Sequence, residues 1–413
     1  MAIRASCFAT HFTSSRKMKC QSLRGLSSTA LISLIALAIL IPGMVVASYY
    51  SRVQPLNNNS NLPASSYTSA VVSIISFPAT EFSYNIYSQV IYAIGSGGAH
   101  SVLEINATTN RVIGQIMLPE DATANSLGFD YANRELYVSL TSTEAPFSSN
   151  LIAISTISNS VVKNFTLTAA RIAIDPARDI IYAAVSGISS TQTYSAIVAI
   201  NGRTNEIQGN TTLFSAPVSK VSCCYEGQLM YDPITNYLYQ SLGYYTLIGT
   251  FNPFATAVDL NNNTVFAKLQ GLSGTNDFAY DPVNGYALVS NNGFYNATGG
   301  FNSTRITGGD SIIIFNRTNP IALFPVGSPD PNETVGGLAF DSLNNRIYAA
   351  FGLFSSQDGF RPVEDNLAMI DAASARSLLV TSYPDGIVTL FIDPVNFDIY
   401  VATPSFIYAN AIS

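Results

Sequence analysis

The side chains of this sequence that could do chemistry are almost entirely carboxylates. Its 413 residues include 26 Asp and Glu, 19 Lys and Arg, and only two His, at His11 and His100. Imidazole is the commonest general base near neutral pH and a common metal ligand, so its scarcity argues against His-based triads and His-rich metal sites. A lone loop His such as His100 is usually only solvated. We therefore predict no catalytic residue and no cofactor, and any acid–base or metal chemistry must come from carboxylates such as the pairs Asp330/Glu333 and Glu364/Asp365.

Six of the acids recur with a regular spacing. Each ends an apolar segment and is followed seven residues later by an aromatic or apolar residue, and Asn85 takes the same place in the first copy. An Asp at the start of a tight turn accepts hydrogen bonds from backbone N–H groups. We therefore interpret these acids as structural turn residues: Asp130, Asp175, Asp232, Asp281, Asp341 and Asp393.

A second set of acids lies in the longer segments between the repeats. Only Lys220, Arg305 and Arg361 oppose these thirteen carboxylates, which are Glu81, Glu120, Asp121, Glu144, Glu226, Asp277, Asp310, Asp330, Glu333, Asp358, Glu364, Asp365 and Asp385. One face rich in acids is suited to a divalent cation such as Ca²⁺ or to a basic partner. No continuous Ca-loop pattern is present, so a metal site would be assembled from several segments, with Glu120, Asp121, Asp277, Asp310, Asp330 and Asp385 as candidates. The excess of acids over bases disfavours nucleic acid as a partner.

The repeat predicts the architecture. The seven copies are 45, 45, 57, 49, 60 and 52 residues apart, and the third divides into four strands, Arg171–Asp175, 180–185, 196–200 and 206–213. Four strands per period near fifty are typical of a propeller blade. The last copy stops after three strands, and 71–77 is a strand without a blade. We therefore predict an all-β, seven-bladed β-propeller over 71–413, closed when strand 71–77 completes the last blade, and monomeric.

The repeat units resemble a known family. The segment 392–402, IDPVNFDIYVA, is similar to the YVTN-type β-propeller repeat, and 101–119 is similar to its second half. The resemblance covers all seven units in degraded form, with Asn85 in place of Asp and Leu288 in place of Tyr. It implies a propeller fold and a surface-layer or secreted location, and it implies no fixed active site.

The N-terminal segment is typical of export. Five basic residues and no acid precede the apolar stretch 30–41, which is followed by a helix breaker and small residues up to Ala47. This layout is typical of a signal peptide, while 30–47 is also at the lower limit of a membrane-spanning anchor. The chain could start at Met1 or Met18, and 24–27 resembles a pilin-type signal. Residues 48–70 are rich in Asn, Ser and Pro and are predicted to form a flexible linker. In each case the repeats are expected outside the cell.

The segments between the second and third strands of the blades are predicted to form binding loops. Two of them, 241–255 and 290–310, contain the aromatic candidates Tyr244, Tyr245, Phe251, Phe294, Tyr295 and Phe301. Aromatics among Gly and Asn suit the recognition of a glycan or a peptide. The alternative is that these rings pack the loops onto the blades.

Two kinds of covalent modification are predicted for the exported part. Cys223 and Cys224 are its only cysteines and could form a vicinal disulfide or remain thiols. Beyond Asn58 in the linker, Asn-x-Ser/Thr acceptor sites occur at Asn106, Asn164, Asn210, Asn262, Asn296, Asn302, Asn316 and Asn332.

The composition leaves two classes of function. The first is a non-catalytic extracellular propeller that binds or scaffolds at the cell envelope, with a protein, a glycan or a cation as ligand. The second is an exported enzyme with a carboxylate or metal site at the mouth of the ring, which would concentrate its acids around the central channel. The low charged fraction, 11% against roughly 25% in typical soluble domains, suits an acidic exterior or the Ser, Thr and Asn preference of extracellular β-proteins.

Overall fold

The computed structural model describes residues 69–412 except 96–99, 120–121, 143–148, 247–250, 267–268, 270–276, 292–294, 297–303, 306–310, 327–332, 356–360, 375, 384–385 and 395. The described part is all β. Its strands are β1 Ser69–Ile75, β2 Ala79–Asn85, β3 Val90–Gly95, β4 Ser101–Asn106, β5 Arg111–Met117, β6 Ala122–Asp130, β7 Glu135–Ser142, β8 Ser149–Ser155, β9 Ser160–Phe165, β10 Ala169–Asp175, β11 Ile180–Ile188, β12 Gln192–Asn201, β13 Glu206–Pro217, β14 Val221–Asp232, β15 Tyr237–Thr246, β16 Phe251–Asp259, β17 Thr264–Phe266, β18 Phe278–Asp281, β19 Tyr286–Asn291, β20 Tyr295–Asn296, β21 Thr304–Arg305, β22 Ser311–Asn316, β23 Asn319–Pro325, β24 Glu333–Asp341, β25 Arg346–Ser355, β26 Arg361–Asp371, β27 Arg376–Tyr383, β28 Thr389–Ile392, β29 Ile399–Ala402 and β30 Ile407–Ile412.

These strands form seven antiparallel sheets of four, the blades of a β-propeller. Blades 1 to 4 take β2–β5, β6–β9, β10–β13 and β14–β17 in order, blade 5 takes β18, β19, β22 and β23, and blade 6 takes β24–β27. A small hairpin, β20–β21, is inserted in blade 5. Within a blade the strands are called a to d from the axis outward, so each blade contributes its strand a to the central channel.

The ring closes as the sequence predicts. Blade 7 is built from β28, β29, β30 and β1, so the first strand of the described chain is strand d of the last blade. Strand β1 pairs antiparallel with β30, from Ser69 opposite Ile412 to Ile75 opposite Ile407. It begins at residue 69 and ends at 75, whereas the sequence predicted 71–77. Because β1 pairs with β30, that edge of the last blade is not open to pairing with another chain.

The two rims of the ring differ in construction. The turn face carries the a–b and c–d turns, which are short and mostly four residues long, as in 86–89 and 107–110. In each of the seven a–b turns the last residue has positive φ, as at Gln89, Asp179 and Gly285. The loop face carries the b–c and d–a connections, which range from three residues at 189–191 to the whole segment 292–310.

The repeat aromatics hold neighbouring blades together. Five of the repeat tyrosines are the largest fully buried side chains: Tyr92, Tyr137, Tyr239, Tyr348 and Tyr400. The hydroxyl of Tyr137 donates to Asn205 Oδ1 in the next blade at 2.6 Å, and that of Tyr400 donates across the closure to Asn110 Oδ1. A buried ring with a satisfied hydroxyl explains why the repeat retains Tyr at this place.

Several segments predicted as loops continue as strands. In blade 3, β11 and β12 pair up to Ile188 opposite Thr193, and in blade 4, β15 and β16 pair up to Tyr245 opposite Phe251. The predicted loop 241–255 is therefore mostly a hairpin that extends blade 4 on the loop face.

Among the described residues, no helix is long and apolar enough to cross a membrane. The predicted signal or anchor, 1–47, and the predicted linker up to residue 68 lie outside the described residues, so these remain predictions.

Candidate functional site

The repeat acids form the turns that begin strand b. Asp232 Oδ1 accepts from the N–H groups of Ile234 and Thr235 at 2.9 and 3.2 Å. Asp281 and Asp341 accept in the same way from the residues two and three positions later. Asn85 Oδ1 makes the same two bonds at 3.0 and 3.3 Å. The six Asp side chains are at most 4% exposed, and Oδ1 of five of them accepts N–H groups of its own turn: Asp130, Asp175, Asp232, Asp281 and Asp341.

A second regular position lies four residues before each repeat Asp or Asn, on the inner strands near the loop face. It is occupied by Glu81, Ser126, Arg171, Gln228, Asp277, Gly337 and Thr389. We call these seven residues the channel ring. Six of the seven are polar. Superposing the repeats would have shown this pattern, which the sequence reasoning missed.

The channel ring surrounds a cavity of about 220 Å³ on the axis. Each of the seven blades contributes a residue to its lining, which consists of Glu81, Phe82, Leu127, Ile172, Gln228, Asp277, Phe278, Leu338, Thr389, Leu390 and Phe391. Four of the eleven lining residues, Glu81, Gln228, Asp277 and Thr389, are polar, and the surface exposed to the cavity is mostly polar.

Hydrogen bonds link the channel ring from blade to blade. Glu81 Oε1 accepts from Ser126 Oγ at 2.6 Å and from the N–H of Leu127 at 3.2 Å. Ser126 Oγ in turn accepts from the N–H of Ile172 in blade 3 at 3.2 Å. In blades 5 and 6, Asp277 Oδ2 accepts from the N–H of Leu338 at 2.9 Å. These side chains tie adjacent inner strands together as well as lining the cavity.

Arg171 is the cationic centre of the channel ring. Its Nη1 donates to the carbonyl of Asn125 at 2.5 Å and lies 3.4 Å from Glu81 Oε2. Its buried Nε has no hydrogen-bond partner among the described residues. Burial raises the pKa of Glu81, and the charge of Arg171 opposes that rise.

Two further acids lie close to Arg171 and are more strongly affected by burial. Burial raises the pKa of Asp277 to about 7, although the N–H groups of Leu338 and Phe278 lower it in part. Burial also raises the pKa of Glu226 to about 7. Neither oxygen of Glu226 has a hydrogen-bond partner among the described residues; Ser195 is near but forms no bond with it. Both carboxyl groups therefore gain or lose a proton near neutral pH.

Glu226 is held inward by an irregularity of β14. The register with β15 shifts between Glu226 and Leu229. A Cβ at Gly227 would overlap the Ser241 hydroxyl, so a larger residue at this bulge would require the Ser241 side chain to move. The Gly227 carbonyl accepts from Gln240 Nε2 at 3.2 Å. Glu226, Glu81 and Asp277 were expected in exposed loops, and the structure instead buries all three near the channel.

Most of the other predicted acidic positions lie outside the described residues. This applies to Glu120, Asp121, Glu144, Asp310, Asp330, Asp358 and Asp385, while Glu333, Glu364 and Asp365 have described backbone only. Within the described part of the chain, no group of three or more His, Cys, Asp or Glu residues is arranged to hold a metal ion. The predicted cation site therefore depends on positions that the structure does not describe.

Among the predicted binding aromatics, only Tyr244 has a described side chain. Tyr244 stacks on Phe214 with 5.1 Å between ring centroids and meets Phe254 at 6.1 Å. This half-buried ring packs blade 4 onto blade 3, which is the packing alternative that the sequence left open. Nothing is described for Phe294 and Phe301, or for the side chains of Tyr245, Phe251 and Tyr295.

The structure describes some of the remaining predicted residues. His100 Nδ1 lies 2.8 Å from the carbonyl of Ala122, so its ring connects blades 1 and 2. Cys223 and Cys224 lie on β14, with described backbone only. Among the glycosylation candidates, Asn164 and Asn210 are exposed on outer strands, Asn262 and Asn316 are exposed at c–d turns, and Asn106 is half-buried. Asn296 has described backbone only, and Asn302 and Asn332 lie outside the described residues.

Comparisons with known proteins identify the fold and nothing finer. No protein-family model matches the chain, and no curated protein sequence matches it. Matching solved chains number 1027. One of them belongs to a structure described as the crystal structure of a mitotic checkpoint complex; it is 12% identical, with a TM-score of 0.57, over 87% of this chain and 94% of that chain. A likeness at this identity shows a shared β-propeller fold, which hosts many unrelated functions.

Proposed function

We propose that the protein is a non-catalytic extracellular propeller of the YVTN-repeat type that binds a partner at the cell envelope through its loop face. The observation that carries this proposal is the difference between the two rims. The turn face repeats nearly the same short turns seven times. The loop face carries connections of unequal length, extended hairpins on blades 3 and 4, and the inserted hairpin β20–β21. Variable loops on a rigid scaffold are where binding residues concentrate.

The acids of the connections support a basic partner or a Ca²⁺-dependent one. The segments between the strands on the loop face contain Glu120, Asp121, Asp310, Asp330 and Asp385. A protein or a glycan is the proposed partner, and Ca²⁺ remains a possible ligand. Titration calorimetry of the full chain with CaCl₂ checks the cation, and an absence of heat together with an unchanged melting temperature contradicts it.

The insertion of blade 5 gives the sharpest test of loop-face binding. Asn291 pairs with Ser311 across it, so residues 292–310 can be replaced by a two-residue Asn-Gly turn without changing the register. We expect this variant to bind delipidated envelope fragments of the producing cells at least tenfold more weakly than the natural chain. Fragments treated with protease or with glycosidase then separate a protein partner from a glycan.

A matched control lies on the opposite rim of the same blade. Arg317, in the c–d turn, has φ of 56°, and Asn adopts that conformation readily. We expect Arg317→Asn to bind like the natural chain. Unchanged binding after replacement of 292–310, or an equal loss in both variants, contradicts the proposal.

One observation, the burial of acids near the channel, favours the alternative that the protein is an enzyme. Asp277 lines the cavity, and its pKa of about 7 suits a general acid or base. Both of its oxygens, however, accept backbone N–H groups, from Phe278 and Leu338. Hydrolysis of chromogenic glycosides or esters that is abolished in Asp277→Asn, with the fold intact, would favour the enzyme over the scaffold.

A further inference from the structure

The turn face carries exposed apolar side chains at one repeated place. Two residues after each repeat Asp or Asn stand Tyr87, Ala132, Ala177, Ile234, Val283, Leu343 and Val395. We call these the apolar ring; Val395 lies outside the described residues. Tyr87 is 63% exposed, Ile234 57%, and Val283 and Leu343 66% each.

Turn chemistry does not explain this choice of residues. The turn uses only the backbone N–H at this position, as Ile234, Val283 and Leu343 show by donating to the preceding Asp at 2.9 Å. Ser, Asn or Gly would serve equally well and are the usual turn residues. Apolar residues at all six described, solvent-exposed turn positions therefore indicate that this surface contacts something other than water.

Neighbouring turns of the turn face contact one another at three of the blade junctions. A Cβ at Gly285 in blade 5 would lie 2.9 Å from Ile234 in blade 4, so these two turns touch. The guanidinium of Arg134 in blade 2 lies 5.5 Å from the centre of the Tyr87 ring in blade 1. Arg178 in blade 3 donates to Asn236 in blade 4 at 2.6 Å.

The charges of the turn face differ from those of the loop face. Half of the 14 basic residues after position 47 lie in or next to its turns: Arg111, Arg134, Arg178, Arg203, Arg317, Arg346 and Arg376. Apart from the buried repeat Asps, six acids accompany them: Glu135, Asp179, Glu206, Asp259, Asp371 and Asp398. When the buried repeat Asps of the same turns are left out, the seven arginines and six acids of the turn face nearly balance, whereas the loop-face segments have a clear excess of acids.

The chain enters the ring on the turn face. Strand c of blade 7 runs towards that rim and ends at Ile412, which pairs with Ser69, the first residue of β1. Residues 1–68, with the predicted apolar segment 30–47, therefore join the ring at the turn-face rim.

We propose that the turn face rests on the lipid membrane, with the apolar ring in the headgroup region and the acidic loop face directed outward. The apolar side chains, the surrounding arginines and the entry point of the predicted anchor all lie on one rim, and an anionic bilayer attracts arginines and repels acids. This orientation rests on the anchored form of the proposed function and adds a second membrane contact that the anchor does not provide. It leaves the loop face free for its partner.

The absence of tryptophan from the chain allows a direct test. Leu343→Trp places a fluorescent probe in the apolar ring, and Thr191→Trp places a matched probe on an exposed loop-face connection. The full chain is reconstituted into phosphatidylcholine–phosphatidylglycerol vesicles with and without brominated acyl chains. Both variants carry the same N-terminal segment, so any difference between them reports the orientation of the ring.

We expect bromolipid to quench Leu343→Trp at least twofold more than Thr191→Trp, and its emission to be blue-shifted. Val283→Trp, in the next turn of the apolar ring, should repeat the result, and unchanged urea midpoints check that the variants fold. Equal quenching of the two rims overturns the proposal. A blue shift of Leu343→Trp that depends on protein concentration and not on bromolipid also overturns it, because a second copy then covers the face. Loop-face binding to delipidated fragments is measured separately and can fail or hold independently.

Discussion

Two groups of buried carboxylates in this propeller have the same chemistry and opposite surroundings. Those of the a–b turns accept N–H groups from their own turn, as Asp232 does from Ile234 and Thr235. Glu81, Asp277 and Glu226 bond across blades or have no hydrogen-bond partner among the described residues. Burial raises the pKa of Asp130 as well, and its bonds to Asn133 and Ala132 oppose that rise. The turn acids thus accept N–H groups of their own turns, whereas Glu81 and Asp277 also accept groups from other blades and Glu226 has no donor among the described residues. Burial is the main cause of the raised pKa of each channel acid.

The largest effect is expected when a turn carboxylate is removed. Asp232→Ala removes the carboxylate that accepts the N–H groups of Ile234 and Thr235, which costs about 3 kcal/mol of unfolding free energy. Urea unfolding followed by circular dichroism measures this. Asp232→Asn retains the acceptor and should lose far less. Equal losses in the two variants would show that the turn depends on charge and not on the acceptor.

Removal of a channel carboxylate should change how the unfolding free energy depends on pH. Folded Glu226, with its pKa near 7, keeps a proton between about pH 5 and 7 that the unfolded chain releases, since a free Glu titrates at about 4.3. This group therefore stabilises the fold at pH 5, and that contribution is lost as the pH rises through 7. We expect Glu226→Gln to reduce the stability difference between pH 5 and pH 8 by about 2 kcal/mol.

The pH dependence of the unfolding free energy gives a further test of the channel carboxylates. Ser158→Ala removes an exposed hydroxyl and no titratable group, so its profile should be parallel to that of the natural chain and it is the control for Glu226→Gln. A natural chain that loses stability steeply below neutral pH would contradict both this assignment and adaptation to an acidic exterior.

A smaller effect is expected at Ser126, which connects three blades. Ser126→Ala removes the donor to Glu81 and the acceptor of the Ile172 N–H, and we expect a loss of about 1 kcal/mol. The control is Ser158→Ala in the same blade, since Ser158 is exposed and pairs only with Ser160. Thermal melting of both variants measures the difference. Equal melting temperatures would show that the Ser126 hydrogen bonds between blades do not stabilise the fold.

The smallest effect is expected at Asn85, the exception among the repeat acids. Its Oδ1 already makes the two turn bonds at Tyr87 and Ser88, so Asn85→Asp should change stability by less than about 0.5 kcal/mol. A loss above 1 kcal/mol in urea unfolding would mean that the first turn differs from the other six.

Much of the fold could be predicted because each repeat is defined by residues that lie close together in the sequence. The turn residues, the number of blades and the closure of blade 7 by an N-terminal strand are all confirmed by the strand order, with the closing strand two residues earlier than predicted. The loop boundaries were less accurate, because β15 and β16 continue their ladder to Tyr245 and Phe251. Strand extension depends on pairing with a neighbour, and local residue types do not report it.

The channel was predicted far less well. Glu81, Glu226 and Asp277 were expected as exposed loop acids, since surface segments normally carry charge. Their burial follows from positions on or next to the inner strands, and Glu226 lies at a register shift of β14 against β15. One signal was available in the sequence: the polar residue four positions before most repeat acids.

By itself, the sequence determined the seven blades, the closed ring and the role of Asp130, Asp175 and the other turn acids. These features depend on partners two or three residues away, and a contact this local is visible in a linear pattern. Only the tertiary structure decided which residues meet at the axis. Glu81 binds the N–H of Leu127 from 46 residues away and the guanidinium of Arg171 from 90 residues away. Such contacts exist because ring closure brings seven inner strands around one channel, and no local pattern encodes which of their side chains will share it.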